Sequence, residues 1–409
     1  MTDARWMNWS EIAQLARSRR VVAWGKSEWL KKALPYLPTR PAYIVDNNPH
    51  DQGNLFEDIP IRSPAVLTEE APGAVFIVIT STSIDAISAQ LMGYGLRPGA
   101  DFTVSPTLRD YRVISALRGQ PGLVYFSVSD PPSDAPEAGG GLYRYDLQAR
   151  RAEKLVSGLC HGIVEGRNGE VYLVDDGVLG VRVLDADMRT LGAIELARGA
   201  RPHGIGYCPK RHRLYVVIPA FDAIAVIDPD SGKELDRLVY SDKGARAGTP
   251  QHHPNDCCAY GDSLYSTMFS LSGNWKIGAF DGAVCEWDLD THERRGPVVQ
   301  GLWMPHTPTV IDGALHWADS MRGEVRSTSW KVLGAFHGFV RGIAFDGQLY
   351  MVGQSQHRYV GRRLGTADNI SLDSGLFLLD PETKATRFHP IDGVVDINSV
   401  YVPSRARRA

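Results

Sequence analysis

Residues 203–218 read HGIGYCPKRHRLYVVI, and other stretches of the chain repeat this order of a polar opening residue, a turn and a strand that contains Tyr or Trp. The other openings are His161-Gly-Ile, Asn255-Asp-Cys, His306-Thr-Pro, Arg341-Gly-Ile and the C-terminal Asn398-Ser-Val-Tyr-Val. Successive openings lie 42, 52, 51, 35 and 57 residues apart. Repeats of about 40–50 residues that each hold several short strands are typical of a β-propeller.

Six openings predict six blades, so we expect a mainly β protein with a six-bladed β-propeller over residues 116–409. The sixth repeat lacks its later strands, and the segments 123–128 and 141–146 would supply them from the front of the region. The C-terminal strand would then close the ring and leave no open sheet edge. Residues 354–373 are predicted to be an insertion in the last full blade, and such insertions usually lie on a binding face.

Residues 1–115 have a different pattern, in which strand and helix signals alternate. Short apolar runs typical of buried parallel strands occur at residues 20–24, 42–45 and 74–80. Residues 84–92 have the apolar spacing of a helix. The alternation predicts a small Rossmann-like α/β domain in front of the propeller.

Composition excludes several classes of function. Lys and Arg total 44 against 47 for Asp and Glu, so no basic excess favours a nucleic-acid partner. No apolar run approaches the roughly 20 residues that span a bilayer, and the N-terminus lacks the pattern of a signal peptide. Five cysteines without metal-site or disulfide spacing favour a reducing compartment. We therefore expect a cytoplasmic protein that acts on a small molecule and does not bind a membrane.

The six opening residues are the strongest functional signal. In a propeller the innermost strand of each blade lines the central channel, so equivalent openings form one ring around the axis. This ring consists of His161, His203, Asn255, His306, Arg341 and Asn398. Three imidazoles on one axis suit a divalent metal, with Zn favoured, Fe or Mn possible, and Ca less suited because it prefers oxygen ligands. Two alternatives to a metal site stay open. In the first, the ring residues cap the inner strands with hydrogen bonds around a water-filled channel. In the second, they contact a substrate directly.

Further polar residues are predicted to lie near this ring. The second strand of each blade runs back to the same mouth, which brings Asp175 or Asp176, Asp319 and Gln354 toward it. The candidate catalytic residues are Asp319, His253 and Asp256, and the candidate substrate-binding residues are Asn255, Arg341, Asn398, Asp176 and Gln354. Adjacent residues on a strand face opposite sides, so Cys257 and Cys258 cannot both reach the channel, and we expect inert buried thiols.

The propeller resembles a superfamily that includes gluconolactonases, senescence-marker-like lactonases and strictosidine synthases. The resemblance rests on Pro254-Asn255-Asp256 followed by a Leu-Tyr strand. It implies a divalent metal on the axis held by Glu, Asn and Asp, and Asn255 and Asp319 match that set in kind. The Glu is not evident, and the three ring histidines are more similar to the zinc site of the peptidylglycine-amidating lyase propeller.

Three segments also resemble an uncharacterised bacterial propeller family, and the resemblance would cover residues 120–403. The segments are Met304-Pro-His-Thr-Pro, Ala318-Asp-Ser-Met-Arg-Gly-Glu and Phe339-Val-Arg-Gly-Ile-Ala-Phe.

The first domain resembles the small nucleotide-sugar-binding domain of bacterial sugar acetyltransferases. The matching segments are residues 21–25, Ile44-Val-Asp-Asn-Asn-Pro49, Gly53 and residues 59–64. The resemblance implies a nucleotide-sugar site that uses Gly25, Lys26, Ser27 and Asp46. Only one glycine of the dinucleotide fingerprint GxGxxG is present, so NAD binding is not expected. The alternative is a domain kept for packing or for homodimer formation.

These observations predict a metal-dependent enzyme, with the metal on His161, His203 and His306. Its substrate would be a sugar-derived or other oxygen-rich small molecule, and lyase, epimerase and lactone or ester hydrolase chemistry all suit such a site. The alternative is a non-catalytic propeller that binds a glycan or a protein partner.

Overall fold

The computed structural model describes residues 5–120, 122–328, 331–357 and 369–404. The chain divides into two compact units between Gly119 and Gln120. The central part of the insertion predicted over residues 354–373 lies outside the described residues. Within the described ranges, no helix is both long and apolar enough to cross a membrane.

The first unit is built on one six-stranded sheet with the order β3-β4-β2-β1-β5-β6. Its strands are Arg20–Trp24 (β1), Tyr43–Val45 (β2), Leu55–Phe56 (β3), Ile59–Arg62 (β4), Val75–Ile79 (β5) and Phe102–Val104 (β6). Its helices are Trp9–Leu15 (α1), Glu28–Ala33 (α2), Ile84–Gly93 (α3) and Asp110–Gly119 (α4). All strand pairs except the β3–β4 hairpin are parallel, and β5 is buried along its whole length.

The second unit contains six sheets of four antiparallel strands, which are the six predicted blades. Blade 1 holds Cys160–Glu165 (β10), Val171–Asp175 (β11), Gly180–Leu184 (β12) and Thr190–Glu195 (β13), and blade 2 holds Ile205–Cys208 (β14), Arg213–Ile218 (β15), Ala223–Ile227 (β16) and Glu234–Val239 (β17). Blade 3 holds Pro254–Tyr260 (β18), Ser263–Met268 (β19), Gly282–Asp288 (β20) and Arg294–Leu302 (β21), and blade 4 holds Pro305–Ile311 (β22), Ala314–Asp319 (β23), Glu324–Ser327 (β24) and Val332–Ala335 (β25). Blade 5 holds Phe339–Phe345 (β26), Tyr350–Ser355 (β27), Gly375–Leu379 (β28) and Thr386–Pro390 (β29).

Blade 6 closes the ring with both ends of the unit. Its strands are Ile397–Tyr401 (β30), Leu123–Val128 (β7), Gly141–Asp146 (β8) and Arg151–Ser157 (β9). The C-terminal β30 pairs antiparallel with β7, and Tyr401 lies opposite Tyr125. The prediction of six blades with a sheet completed from the C-terminus is therefore confirmed.

Short helical segments connect several strands. One α-helix, Lys243–Ala247 (α5), lies between blades 2 and 3. In each of blades 1 to 4, a 3-10 turn lies between the second and the third strand. These turns are Asp176–Val178, Pro219–Phe221, Trp275–Ile277 and Ser320–Arg322, and the first unit has three more at Leu34–Tyr36, Pro64–Glu69 and Pro106–Leu108. The repeated position shows that the blades share one route from their second to their third strand.

Apolar rows between adjacent blades form the core of the propeller. One cluster joins Tyr215 and Val217 of blade 2 to Leu264 and Trp287 of blade 3. Burying one such side chain contributes about 1.5–3 kcal/mol, so each junction between blades is stabilised over its whole height. The outer strands are largely exposed, as in the pattern of β13.

A ring of hydrogen bonds joins the inner strands near the axis. The Gly162 amide donates to the His203 carbonyl at 3.0 Å, and the Gly204 amide donates to the Asn255 carbonyl at 2.9 Å. At two further junctions the Thr307 amide donates to the Asp256 carboxylate and the Gly342 amide donates to the Thr307 hydroxyl. At the last two, the Ser355 hydroxyl donates to the Ile397 carbonyl and the Ser127 hydroxyl donates to the His161 carbonyl. All six junctions between blades are therefore joined next to the opening residues.

Irregular pairing occurs next to the opening residues in most inner strands. The pairing register shifts between Cys160 and Ile163, between Pro254 and Cys257, and at the corresponding places in β22, β26 and β30. A bulge adds one residue to a strand and re-aims the side chain beside it. The opening residues predicted from the repeats lie at or next to these bulges.

Gly204 is required by the junction between blades 2 and 3. A Cβ at this position would lie 2.1 Å from the Asp256 Oδ1 and 2.4 Å from the Asp256 Cα. We predict that Gly204→Ala lowers the free energy of unfolding by about 1–3 kcal/mol, because the added methyl must displace the neighbouring strand. Urea unfolding followed by circular dichroism measures this change.

Gly192→Ala is the matched control, because a Cβ there meets no atom within 4 Å. We expect that variant to unfold within about 0.5 kcal/mol of the wild type. Equal stability of the two alanine variants would contradict the close approach of Asp256 to Gly204.

Candidate functional site

The six ring residues line one cavity of about 380 Å³ at one end of the channel. The structure brings His253 and Asp176 into the same cavity. A volume of this size accommodates a small molecule, and ligand sites in proteins usually occupy about 300–1,000 Å³. The cavity is therefore the candidate functional site of the propeller.

Direct contacts join most neighbouring ring side chains. The His161 and His203 rings stack with centroids 4.6 Å apart and an interplanar angle of 17°. His203 Nδ1 lies 3.1 Å from Asn255 Oδ1, and Asn255 Nδ2 lies 3.0 Å from His306 Nε2. The Asn255 amide thus bridges two imidazoles.

The other half of the ring is centred on Arg341. Its guanidinium donates to Asn398 Oδ1 at 2.6 Å, lies 3.8 Å from the Asp396 carboxylate and sits above the Phe339 ring at 4.8 Å. Asn398 in turn donates from Nδ2 to the Cys160 carbonyl at 3.3 Å. These contacts hold a cation in a fixed orientation on the cavity wall.

Aromatic rings form one wall of the cavity. His253 packs against Phe269 with ring centroids 4.5 Å apart and against Trp275 with centroids 4.6 Å apart. His306 packs edge-on against Phe269 and Phe339. This wall places aromatic ring surfaces next to polar groups.

The buried imidazoles are neutral at physiological pH. Burial lowers the pKa of His253 to about 3, and the neighbouring His203 and the cations Lys276, Arg201 and Arg341 lower it further. Burial is also the main reason that the pKa of His306 lies well below its usual value, and Arg341 is the next contributor. The charged groups that lower these two pKa values are cations, and the carboxyl groups of Asp176 and Asp396 line the same cavity.

Asp176 contributes a carboxyl group to the lining of the cavity. Burial raises its pKa, while Arg201 opposes the shift. The pair of Asp176 and Arg201 lies on the side of the ring formed by blades 1 and 2, and Arg341 belongs to blade 5. Guanidinium groups therefore approach a ligand from opposite sides of the axis.

Several lining residues were not predicted from the sequence. They are Ser129, Leu159, Arg201, Phe269, Trp275, Phe339 and Asp396. Phe339 and Asp396 each lie two residues before a ring position, as do Arg201 and the predicted His253, so this spacing was a usable signal. Trp275 lies in an irregular loop between β19 and β20, and no periodic pattern marks such a position.

The prediction that Asp319 acts as a base or ligand does not agree with its placement, because it is fully buried outside the cavity lining. Its Oδ1 accepts the Trp303 amide at 2.8 Å, and its Oδ2 pairs with Arg322 at 2.6 Å. Asp175 at the end of β11, Asp130 just after β7 and Asp222 just before β16 accept backbone amides in the same way. Asp319 therefore holds the chain that leads into the inner strand.

Two other predicted site residues also lie outside this cavity. Asp256 accepts the Cys257 and Thr307 amides, each at 3.1 Å, and lines a separate cavity of about 310 Å³ in the channel. Burial raises the pKa of Asp256 to about 7. Gln354 is 1% exposed and donates to the Asp373 carbonyl at 2.8 Å. Both side chains hold neighbouring backbone and do not face a ligand in the ring cavity.

The ring histidines do not fit a metal site in the arrangement of the structure. Among the described residues, no group of three or more His, Cys, Asp or Glu side chains is placed to hold a metal ion. Both ring nitrogens of His306 have partners, since Nδ1 lies 2.9 Å from the Met304 carbonyl and Nε2 faces the Asn255 amide. A shared metal would need the Asn255 side chain to move, so the metal stays a prediction.

The candidate cofactor residues of the first unit lie together where β1 and β2 end, but they bond to groups of that unit. The Asp46 carboxylate accepts the Lys26 and Asn48 amides, each at 2.9 Å. The Lys26 ammonium pairs with Asp51 at 2.5 Å, and Ser27 caps α2. Gly25 has a φ of +110°, and a Cβ there would lie 2.8 Å from the Ser81 Cβ. Nucleotide-sugar binding stays a prediction.

The thiols are placed as inert groups. All five cysteines are free, and four of them are buried. Burial raises the pKa of Cys258 and of Cys285 to about 11. A thiol with such a pKa is a poor nucleophile at neutral pH, so the site gains no reactive cysteine.

We predict that Asp319→Asn destabilises the propeller by about 1–3 kcal/mol and leaves ligand binding in the cavity unchanged, because a buried ion pair with Arg322 is lost while the cavity wall is kept. Thermal unfolding and calorimetric titration measure the two effects. Asp392→Asn, at an exposed carboxylate, is the control for removing one charge. Loss of binding without loss of stability in Asp319→Asn would restore a direct role for this residue.

Comparison with known proteins leaves the activity open. A family described as a domain of unknown function, DUF4915, matches residues 260–401. No curated protein matches the chain.

Three solved structures are similar to this chain. A nidogen–laminin complex has 15% identity and a TM-score of 0.48 and covers 68% of this chain and 96% of its own. A protein of unknown function from Bacteroides caccae has 13% identity and a TM-score of 0.47, with 69% and 98% covered. A structure described as a putative gluconolactonase has 14% identity and a TM-score of 0.42, with 59% and 80% covered.

Proposed function

We propose that the propeller is an enzyme that binds a small, oxygen-rich carboxylate in the ring cavity and moves a proton on it with neutral imidazoles. The observation that carries the proposal is the convergence of four imidazoles and two guanidinium groups in one cavity of about 380 Å³. Cavities with convergent polar groups and shifted pKa values are the usual positions of active sites.

Arg341 is the proposed anchor for the substrate carboxylate. Its guanidinium is 8% exposed and is held by Asn398 and the Phe339 ring, so little side-chain freedom remains to be lost on binding. A guanidinium presents paired N–H donors that match the two oxygens of a carboxylate. Arg201 provides a second cation across the axis.

The histidines are the proposed proton acceptors. A neutral imidazole accepts a proton, and His253 is neutral because burial and nearby cations lower its pKa. An anion bound to Arg201 and Arg341 would offset part of those cationic charges, and the pKa of His253 would rise toward neutral pH. His203 packs edge-on against it in the same cavity, with ring centroids 5.8 Å apart.

Lyase, epimerase and lactone or ester hydrolase reactions share a step in which a base removes a proton, either from carbon next to a carboxylate or from water. A cation at the carboxylate stabilises the negative charge that develops in that step. Sugar acids and their lactones have the matching oxygen-rich chemistry, and their ring faces suit the wall of Phe269, Trp275 and Phe339. The proposal involves the propeller alone.

The alternative is a propeller that binds a glycan or a partner without chemistry. The aromatic wall suits that alternative equally well, since stacking does not require a base. Turnover discriminates between the two, because a binding protein would give complexes with sugar acids but no exchange of their carbon-bound protons.

We test the proposal with a panel of aldonic and uronic acids, their lactones and the uncharged parent sugars. We expect carboxylates to raise the melting temperature and to exchange the proton next to the carboxylate for deuterium in D₂O, as measured by ¹H NMR. Arg341→Gln should weaken carboxylate binding about 10–100-fold. His203→Gln should slow exchange at least about 100-fold.

Arg295→Gln is the matched control, because Arg295 pairs with Glu286 and Asp288 on an outer part of blade 3. We expect its binding and exchange to equal those of the wild type. Equal binding of acids and uncharged sugars, or unchanged affinity in Arg341→Gln, would contradict the proposal.

A divalent metal on His161, His203 and His306 is tested separately by elemental analysis of the purified protein after incubation with Zn²⁺, Fe²⁺ or Mn²⁺. The bond between Asn255 and His306 leads us to expect less than about 0.1 metal ion per chain. Near-stoichiometric metal that disappears in both His203→Ala and His306→Ala would establish the three-histidine site.

A further inference from the structure

We infer that Asn255 is a positioning residue that fixes His203 as the tautomer with hydrogen on Nδ1 and so makes Nε2 the proton-accepting atom in the cavity. This inference rests on the proposed function for its catalytic meaning. The tautomer itself follows from a chain of hydrogen bonds that begins at one backbone carbonyl.

The chain of hydrogen bonds begins at Met304. Its carbonyl lies 2.9 Å from His306 Nδ1 and can only accept, so His306 carries hydrogen on Nδ1. The Ser320 hydroxyl lies 2.8 Å from the same nitrogen and accepts from it as well. A lone pair on Nδ1 would face the lone pairs of the carbonyl, which excludes the other neutral tautomer.

His306 then fixes the orientation of Asn255. A neutral imidazole with hydrogen on Nδ1 has its lone pair on Nε2. The group that lies 3.0 Å from this Nε2 must donate, so it is the amide nitrogen of Asn255. The alternative placement of the Asn255 amide would set its oxygen against that lone pair.

Asn255 in turn fixes His203. With its nitrogen toward His306, the amide presents Oδ1 to His203 Nδ1 at 3.1 Å. That oxygen only accepts, so His203 Nδ1 must donate, and the lone pair of the neutral ring is on Nε2. The bond persists when Nε2 takes up a proton, since Nδ1 keeps its hydrogen in both states.

This chain of hydrogen bonds gives His306 and His203 different properties. His306 cannot gain a proton on Nε2 without losing the Asn255 bond, so it serves as a fixed acceptor. His203 uses only Nδ1 in this chain of hydrogen bonds, and its ring lines the cavity.

The test uses the full-length protein with ¹⁵N-labelled histidine and long-range ¹H–¹⁵N correlation spectra, which distinguish the two neutral tautomers. We expect hydrogen on Nδ1 for both His306 and His203 in the wild type. In Asn255→Ala, His306 should keep this tautomer because the Met304 carbonyl remains, and His203 should lose its fixed tautomer. Hydrogen on Nε2 of His203 in the wild type would overturn the inference.

Two controls make the result specific. Ser320→Ala should leave both tautomers unchanged, because the chain starts at the Met304 carbonyl. His316 has its Nδ1 2.8 Å from the Ala314 carbonyl and its Nε2 3.1 Å from the Tyr350 hydroxyl, in the core of blade 4. Its spectrum should be the same in every variant, and a change there would instead indicate general loss of packing.

Asn255→Asp provides the conservative comparison. A carboxylate can accept from His203 Nδ1 but cannot donate to His306 Nε2, so we expect His203 to keep its tautomer and His306 to gain a proton. An unchanged His306 in this variant would contradict the assigned orientation of the amide. These spectra do not depend on turnover, so an absence of deuterium exchange would remove the proposed function and leave the tautomer assignment standing.

Discussion

The hydrogen bonds that join the inner strands near the axis are the constraint on which the rest of the propeller depends. Backbone amides and carbonyls in this buried position must be paired, and each blade supplies a partner to the next one. Glycines 162, 204 and 342 let three of the strands approach closely enough to bond. Because all six junctions are joined next to the opening residues, these residues come together around one cavity. The candidate site is thus a consequence of ring closure.

The same constraint separates structural carboxylates from functional groups. Asp130, Asp175, Asp222 and Asp319 accept backbone amides where the chain turns toward an inner strand, and their burial is compensated by these bonds. The cavity is instead lined by imidazoles, guanidinium groups and aromatic rings, with the Asp176 and Asp396 carboxyl groups beside them. The four carboxylates that hold backbone amides therefore lie outside the cavity lining.

The number of blades and the closure by β30 could be predicted because both follow from a repeat in the chain. The positions of His161, His203, Asn255, His306, Arg341 and Asn398 followed from the same alignment, since equivalent residues of a repeat lie at equivalent places. The role of Asp319 could not be predicted from its residue type, because an Asp in this position of the sequence can act as a base or can hold a turn through hydrogen bonds. Trp275 lies in a loop without a repeat, whereas Arg201 lies two residues before a ring position and could have been found by that spacing. The orientation of the imidazoles depends on the Met304 carbonyl and the Asn255 amide, which no sequence pattern encodes.

Neutron diffraction of deuterated crystals tests the central claim most directly, because it shows which nitrogen of each ring carries hydrogen. The account predicts deuterium on Nδ1 of His306 and of His203, deuterium on Asn255 Nδ2 directed at His306, and none on His306 Nε2. Deuterium or a metal ion at His306 Nε2 would contradict it, since the chain of hydrogen bonds from Met304 to His203 could not then exist.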